Sequence, residues 1–243
     1  MKLEERAKKW KDFMDEYCKH SMNKSYVISK DYDADILFIN DTAQSVIFDY
    51  TYEKSRLAVL NFANPTNPGG GFLMGAFAQE ESLCHDSNLY WALTQDHVKS
   101  NYYHYNLQTE NDLLYTDKIV YSKNVKFFDN PELYMNRNLV INNPVLCDVI
   151  TCAAPIAIYS NASNDEIYDI MKHRITGIFQ IAIQNNVDIL ILGAFGCGAF
   201  GNDPIMVSNI FKECLPFYKQ SFKKIIFAIT DEDLFDIFYN VIS

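Results

Sequence analysis

Two spacings of apolar residues run along the chain, one typical of strands and one typical of helices. Short runs of apolar residues bounded by polar, glycine or proline residues predict strands. These strands are predicted at Tyr26–Ser29, Ile36–Ile39, Ser45–Tyr50, Leu57–Phe62, Lys118–Ser122, Val125–Phe128, Asp148–Cys152, Asp188–Leu192 and Lys224–Ile229.

Apolar residues three or four positions apart, which mark one face of a helix, predict the helices between these strands. The stretch Ser163-x-x-Glu166 is a capping box and predicts the start of a long helix. Other helices are predicted at Leu3–Tyr17, Ala78–Gln95, from about Pro204 to Tyr218, and at Glu232–Val241.

Strands that alternate with helices indicate an α/β fold with a mixed or parallel sheet covered on both faces. No linker-like break or internal repeat divides the 243 residues, so we expect a single domain over 1–243, with an N-terminal helical extension at 1–24. The segment from Ser100 to Asn143 is rich in Tyr and Asn, and we expect it to form a loop region that frames a substrate.

Composition and charge narrow the function classes. Hydrophobic residues make up 49% of the chain, which suits a globular domain, and no apolar run is long enough to cross a membrane. The net charge of −10 argues against binding to duplex nucleic acid or to anionic lipid. The six cysteines form no Cys-x-x-Cys pair and no metal site is expected. The N-terminus lacks the apolar block of a secretory signal, so a cytoplasmic location is predicted.

The first stretch that suggests chemistry is a triple glycine, Gly69-Gly70-Gly71, followed after seven residues by Gln79-Glu80-Glu81 at a predicted helix start. Three glycines without Cβ atoms let the backbone approach a ligand closely and turn its N–H groups toward it. The alternative is a tight turn between a strand and a helix. For the two glutamates the alternative to a chemical role is a structural one, since acidic residues stabilise the first turn of any helix.

A second glycine loop, Gly193–Gly201, follows the strand Asp188–Leu192. Asn202 or Asp203 is suited to cap the next helix, with Pro204 at its first position. Backbone amides at a helix N-terminus bind a diphosphate without lysine or arginine, which suits an acidic protein. Phe200, between small residues, is available to pack on a sugar or base, although a core position is the alternative.

This second loop also matches the pattern Gly-x-Gly-x-x-Gly at Gly196, Gly198 and Gly201, so a dinucleotide-binding fold has to be weighed. The loop lies near the C-terminus with too little chain after it for the usual strands, and Asp231 follows at more than the usual ~20 residues. A P-loop is excluded because neither glycine cluster is followed by Gly-Lys-Ser/Thr.

The segment Leu60–Cys84 resembles the signature of bacterial-type poly(ADP-ribose) glycohydrolases, in which a triple glycine is followed after six to eight residues by Gln-Glu-Glu. Three later stretches resemble the same family in the same order: 117–128, 151–155 and 193–204. Met74 and Phe77 are bulkier than the family's first loop usually holds.

The resemblance implies a macrodomain-like fold, a mixed sheet between helices that binds ADP-ribose at the strand ends. It implies that Glu81 is the catalytic acid and base and that Glu80 positions the ribose hydroxyls. The implied substrate-binding residues are Asn64, Asn67, Gly69, Gly70 and Gly71 for the terminal ribose, and Gly196, Cys197, Gly198, Ala199, Phe200 and Gly201 for the diphosphate and adjoining ribose. Gln79 is also implied to bind substrate.

The resemblance further implies a hydrolase that cleaves the ribose–ribose O-glycosidic bond of poly(ADP-ribose), or acts on ADP-ribosylated protein, and releases ADP-ribose without a cofactor. Two alternatives share the fold: a binding module that recognises ADP-ribose without cleaving it, and a mono-ADP-ribosyl hydrolase. The intact Gln79-Glu80-Glu81 argues against a pure binding module, since binding alone needs no general acid.

Overall fold

The computed structural model describes residues 32–109, 112–128 and 144–243. The predicted helix Leu3–Tyr17, the strand Tyr26–Ser29 and the extension 1–24 lie outside the described residues. The strands, in chain order, are β1 Asp35–Ile39, β2 Leu57–Phe62, β3 Val120–Phe127, β4 Val145–Cys152, β5 Ile189–Leu192 and β6 Lys224–Ala228.

Helices connect these strands and cover both faces of the sheet. They are α1 Ala43–Tyr50, α2 Gln79–His85, α3 Leu89–Leu93, α4 Asp96–Val98, a π-helical turn Lys99–Tyr103, α5 His104–Leu107, α6 Asn164–Gln184, α7 Pro204–Tyr218 and α8 Glu232–Ile242. In the part of the chain that the structure describes, short 3₁₀ turns lie at Phe72–Met74, Ala157–Tyr159 and Lys219–Ser221.

Within the described residues the strands form one mixed sheet in the order β1-β6-β5-β2-β4-β3. All neighbouring pairs are parallel except β3 and β4, which are antiparallel. The predicted α/β architecture, a mixed sheet between helices, is therefore confirmed.

The central strands are buried on both faces, which explains their continuous apolar runs. In β2, Ala58 and Leu60 belong to one core cluster, whereas Leu57 and Val59 belong to the cluster on the opposite face. Helices α6, α7 and α8 cover the first face, and α1 and α2 cover the second. The carboxyl ends of the parallel strands all meet at one edge of this sandwich.

The long helix α6 begins where the capping pattern predicts. The Ser163 hydroxyl accepts a hydrogen bond from the Glu166 N–H at 3.3 Å. The apolar face of α6 is buried in the core through Ile167, Met171, Ile175 and Ile178. Helix α7 begins at Pro204 as predicted, and Asp203, one of the two candidates, is its cap.

The predicted strand Ser45–Tyr50 is wrong, because these residues belong to helix α1. The Thr42 hydroxyl accepts a hydrogen bond from the Ser45 N–H at 3.1 Å and so starts a helix. Residues 43–48 are all buried, so no exposed face marks a helical period, and the short apolar run Val46–Phe48 does not distinguish a helix from a strand.

The predicted helix Ala78–Gln95 is divided in the structure into α2 and α3. The break comes at Ser87 and Asn88, which pair with the edge strand β3: Ser87 forms a bridge with Phe127, and the Asn88 N–H donates to the Lys126 carbonyl at 3.2 Å. This contact with a distant strand overrides the local helical period.

The two strands predicted at Lys118–Ser122 and Val125–Phe128 form the single strand β3, whose register shifts between Ser122 and Val125. Asn124 at this irregularity has a φ of 53°. The expected loop region Ser100–Asn143 is helical as far as Leu107 and contains β3, and its residues 110–111 and 129–143 lie outside the described residues. Among the described residues, no helix is both long and apolar enough to cross a membrane.

Candidate active site

A cleft of about 550 Å³ lies where the carboxyl ends of β1, β6, β5 and β2 meet. The loops that follow these strands all contribute to its wall, because parallel strands deliver their loops to one edge. The lining residues are Asp41, Thr42, Ala43, Gln44, Phe62, Asn64, Phe77, Ala78, Gln79, Glu80, Glu81, Ser82, Ala154, Leu192, Ala194, Phe195, Gly196, Gly198, Ala199, Phe200, Ala228, Ile229, Thr230, Asp231 and Leu234.

Glu81 lies in the first turn of α2 and lines this cleft, although the residue as a whole is only 7% exposed. One carboxylate oxygen, Oε1, accepts a hydrogen bond from the Gly71 N–H at 2.8 Å. The other, Oε2, accepts from the N–H of Ala78, the residue before the helix, at 3.1 Å. These two main-chain contacts hold the carboxylate in one orientation at the wall of the cleft.

The triple-glycine loop fits closely around this carboxylate. Gly70 has a φ of +58°, and a Cβ placed there would lie 2.3 Å from Glu81 Oε1 and 3.2 Å from Glu80 Oε2. Both the backbone conformation and the space therefore require glycine at this position. The loop is a close-fitting cradle for the two carboxylates as well as a turn.

Glu80 is buried more deeply than Glu81 and is 3% exposed. Its Oε1 accepts a hydrogen bond from the Asn61 side-chain amide at 3.1 Å, and its Oε2 accepts from the Asn64 N–H at 2.7 Å. Burial raises the pKa of Glu80 to about 8, and the nearby charge of Glu81 acts in the same direction. The Glu80 side chain consequently carries a proton through much of the neutral range.

This raised pKa predicts a pH-dependent stability. The unfolded chain loses the Glu80 proton near pH 4.5, whereas the folded chain retains it up to about pH 8. The free energy of unfolding contributed by this group thus falls as the pH rises between these two values, by a few kcal/mol in order of magnitude. We expect wild type to lose stability relative to Glu80→Gln between pH 5 and pH 8.

Denaturant unfolding of both proteins at several pH values measures this difference. The glutamine variant is the control, since it has no proton to lose at this position. A constant difference between the two proteins across this range would contradict the raised pKa.

Gln79 attaches α2 to the end of β2. Its side-chain oxygen accepts from the Phe62 N–H at 2.9 Å, and its nitrogen donates to the Leu60 carbonyl at 2.7 Å. The Gln79 side-chain amide therefore makes the two kinds of hydrogen bond, to an N–H and to a carbonyl of β2, that a neighbouring strand would make. Gln79 lines the cleft, but its polar atoms are engaged with β2, so its position indicates a role in placing Glu80 and Glu81.

The asparagines of the same loop have different positions. Asn64 lines the cleft, and its side-chain oxygen accepts hydrogen bonds from the N–H groups of Thr66 and Asn67, at 2.9 and 2.8 Å. Asn67 does not line the cleft, and its carbonyl accepts from the Gly70 N–H at 3.0 Å. Gly69, Gly70 and Gly71 do not line the cleft either, and Gly70 and Gly71 lie against the Glu81 carboxylate.

The second glycine loop lines the cleft through Gly196, Gly198, Ala199 and Phe200, whereas Cys197 and Gly201 do not line it. A Cβ at Gly198 would meet no atom within 4 Å, so this position is open.

Helix α7 begins directly after this loop, with the side chain of Asp203 accepting from the Ile205 N–H at 2.9 Å. A glycine loop followed by a helix N-terminus is the type of segment that binds anions through backbone amides and the helix dipole.

Asn202 holds the loop in this shape. It is 2% exposed, and its side-chain nitrogen donates to the carbonyls of Pro155 and Gly196, each at 2.9 Å. Gly196 has a φ of +76°, and a Cβ there would lie 2.7 Å from that nitrogen. The turn after β5 is thereby tied to the turn after β4.

Cys197 is a packing residue in this loop. Burial, together with the charge of Asp203, raises the pKa of its thiol to about 12, so the thiolate needed for redox chemistry is scarce at neutral pH. Its Sγ lies 3.6 Å from the Phe195 carbonyl.

Two parts of the cleft wall were missed by sequence reasoning. One is the turn after β1, with Asp41 and Thr42; the other is the segment after β6, with Thr230, Asp231 and Leu234. The polar pair Asp41-Thr42 before an apolar run predicts the start of a helix. This signal was lost because the run that follows was interpreted as a strand. Asp231 caps α8 by accepting from the Leu234 N–H at 2.9 Å.

No basic side chain lines the cleft within residues 32–109, 112–128 and 144–243. In the same described residues, no three His, Cys, Asp or Glu side chains are grouped so that they could hold a metal ion. The cleft therefore offers acidic side chains, uncharged polar side chains, backbone amides and apolar walls, and among the described residues its acidic lining residues are Asp41, Glu80, Glu81 and Asp231.

The chain is similar to a known family of enzymes. Residues 4–130 match the family model described as microbial-type PARG (poly(ADP-ribose) glycohydrolase), catalytic domain. No curated protein matches the chain significantly.

Solved structures give a similar result. A poly(ADP-ribose) glycohydrolase from Deinococcus radiodurans, in complex with ADP-ribose, is 30% identical with a TM-score of 0.79, and the match covers 97% of this chain and 92% of that one. A poly(ADP-ribose) glycohydrolase from Thermomonospora curvata, bound to the inhibitor ADP-HPD, is 28% identical with a TM-score of 0.76, covering 95% and 82% of the two chains.

Proposed function

The chain belongs to the microbial-type poly(ADP-ribose) glycohydrolase family and is a glycoside hydrolase that acts on poly(ADP-ribose), and we propose that Glu81 is its general acid and base. One observation carries this assignment: the Glu81 carboxylate and the amide-rich loop Gly196–Phe200 line the same cleft. The first supplies a proton and the second suits a diphosphate.

The order of the loops along the cleft supports one placement of ADP-ribose. Loops after β1 and β6 form one end, the glycine loop after β5 lies next, and the loop after β2 brings Asn64, Glu80 and Glu81. We infer that the adenine lies toward Asp41 and Asp231, the diphosphate at Gly196–Phe200, and the terminal ribose at the two glutamates.

The proposed diphosphate site works without a basic side chain. Backbone N–H groups of the glycine loop and the N-terminus of α7 provide partial positive charge, which stabilises an anion in a partly enclosed site. Phe200, which packs partly against the core and lines the cleft, is placed to contact the ribose between diphosphate and scissile bond.

The proposed reaction begins with protonation of the leaving oxygen. Glu81 donates its proton to the glycosidic oxygen as the bond to the anomeric carbon breaks, and the bonding electron pair leaves with that oxygen. The anomeric carbon becomes oxocarbenium-like, and the diphosphate stabilises this positive charge. Water then adds to the carbon while its proton passes to Glu81, which restores the acid.

The proposed role of Glu80 is to hold the ribose side of the site in shape. Its contacts with Asn61 and Asn64 connect α2 to the end of β2 and to the loop that lines the cleft. With its pKa raised to about 8, Glu80 is protonated at neutral pH and adds no negative charge beside the reacting carboxyl group.

The extent of the similarity also supports a proposal for the domain organisation. The two bacterial structures match 95–97% of this chain, so we infer that residues 1–243 form one macrodomain-type catalytic domain.

Incubation of the protein with three samples tests the function: poly(ADP-ribose), mono-ADP-ribosylated protein, and buffer alone, each followed by chromatography for ADP-ribose. We expect ADP-ribose to appear with poly(ADP-ribose). Release only from the mono-modified protein would favour a mono-ADP-ribosyl hydrolase. Binding of ADP-ribose without release from either sample would favour a binding module, and both results would contradict the proposal.

A further inference from the structure

An exposed aromatic side chain lies at the rim of the cleft, close to Glu81 in the chain. Phe77 lines the cleft and is 72% exposed, and it directly precedes Ala78, whose N–H holds the Glu81 carboxylate. Leu73 and Met74 in the same loop are 75% and 88% exposed but do not line the cleft. Phe77 is therefore the apolar residue of this loop that is placed to contact a ligand.

The ring of Phe77 is supported from behind. It stacks on the imidazole of His85 with centroids 4.9 Å apart and an interplanar angle of 16°. His85 in turn meets the edge of Phe72 at 4.7 Å, and Phe72 contacts Tyr90 at 5.0 Å. An aromatic ring backed on one face and largely exposed elsewhere offers a flat surface on which a nucleic acid base can stack.

The order of the strands places Phe77 at the same end of the cleft as Glu81. A substrate laid along the cleft passes the loops after β1, β6 and β5 before it reaches the loop after β2, which carries both Phe77 and Glu81. Beyond β2, Ala154, which follows β4, continues the wall of the cleft. A substrate that extends past Glu81 therefore continues at the end of the cleft where Phe77 is exposed.

We propose that Phe77 stacks on the adenine of the ADP-ribose unit on the leaving side of the scissile bond. This inference rests on the proposed function, because only a polymeric substrate has a nucleotide there. The leaving oxygen belongs to a ribose that also bears an adenine, so protonation by Glu81 brings that base to the rim of the cleft. Phe77 then favours a nucleotide leaving group over a small one.

Calorimetry with two ligands tests this subsite without requiring turnover. In a Glu81→Gln background, which prevents cleavage, the ADP-ribose dimer is expected to bind about tenfold more tightly than ADP-ribose. Adding Phe77→Ala is expected to remove this advantage while leaving the affinity for ADP-ribose unchanged. Phe77→Tyr, which keeps an aromatic ring, is expected to retain it.

Met74→Ala is the matched control, since Met74 belongs to the same exposed loop but does not line the cleft. It is expected to preserve the dimer's advantage. The proposal is overturned if Phe77→Ala weakens both ligands equally, or if the dimer's advantage is absent or survives that change. If the wild-type protein releases no ADP-ribose from the polymer but the dimer's advantage depends on Phe77, the subsite stands and the hydrolase function fails.

Discussion

Replacement of Glu81 by glutamine is expected to lower the turnover of poly(ADP-ribose) by about a thousandfold, the middle of the range for loss of a general acid or base. The effect is large because one carboxyl group serves both half-steps, first as the proton donor and then as the acceptor of the water proton. The initial rate of ADP-ribose release at saturating polymer measures it.

The same substitution has a smaller effect on binding. The Glu81 carboxylate accepts from the N–H groups of Gly71 and Ala78, and the amide nitrogen of glutamine cannot accept such a bond. One lost hydrogen bond costs roughly 0.5–1.5 kcal/mol, so the affinity for ADP-ribose is expected to fall by about tenfold at most. An equal loss of binding and turnover would mean that Glu81 only shapes the loop.

Glu166→Gln is the matched control for this experiment. Glu166 occupies the third position of helix α6, as Glu81 does in α2, but it is exposed and does not line the cleft. The control tests the same chemical change at the same helical position, and we expect it to leave turnover unchanged. A fully active Glu81→Gln protein would refute the assignment of Glu81 as proton donor.

The second large effect is expected from Gly70→Ala. A methyl group at this position would lie 2.3 Å from Glu81 Oε1, so either the carboxylate or the loop has to move. Because a displacement of about 1 Å at a reacting group can reduce a rate about a hundredfold, we expect a loss of that size in kcat. Steady-state kinetics on poly(ADP-ribose) measures it.

Gly75→Ala separates the steric effect of this substitution from backbone strain. Gly75 also has a positive φ, +78°, but a Cβ there would meet nothing within 4 Å. Both alanine variants are expected to lose about 1–3 kcal/mol of stability from the strained backbone. Only Gly70→Ala is also expected to lose activity. An equal loss of kcat in both variants would contradict the proposed fit between Gly70 and Glu81.

Much of the central fold could be predicted from the sequence. Strand β2 and helix α7 lie at their predicted positions, and β5, β6 and α8 differ from prediction by one residue at an end. These elements combine a strong apolar pattern with clear end signals, such as Pro204 at the start of α7. Where the pattern was ambiguous, as in helix α1, whose residues 43–48 are all buried, residues 45–50 were misread as a strand.

The candidate site shows a similar division. The pairing of a triple glycine with two glutamates was visible in the sequence, and so was the diphosphate-type loop at 196–201. The contributions of Asp41 and Asp231 were not visible. These residues follow β1 and β6, and only the strand order shows that the two strands are neighbours, with β6 beside β5, and bring both residues to the cleft.

The sequence by itself determined the local chemistry: which residues carry acid groups, where the backbone needs glycine, and which helices begin after a glycine loop. Only the tertiary structure decided that Gln79 pairs with β2, that burial raises the pKa of Glu80, and that Phe77 stands exposed against His85. The physical reason is that backbone preferences act between near neighbours in the chain. Burial, pKa shifts and cleft walls depend instead on residues that meet only when distant strands assemble into one sheet.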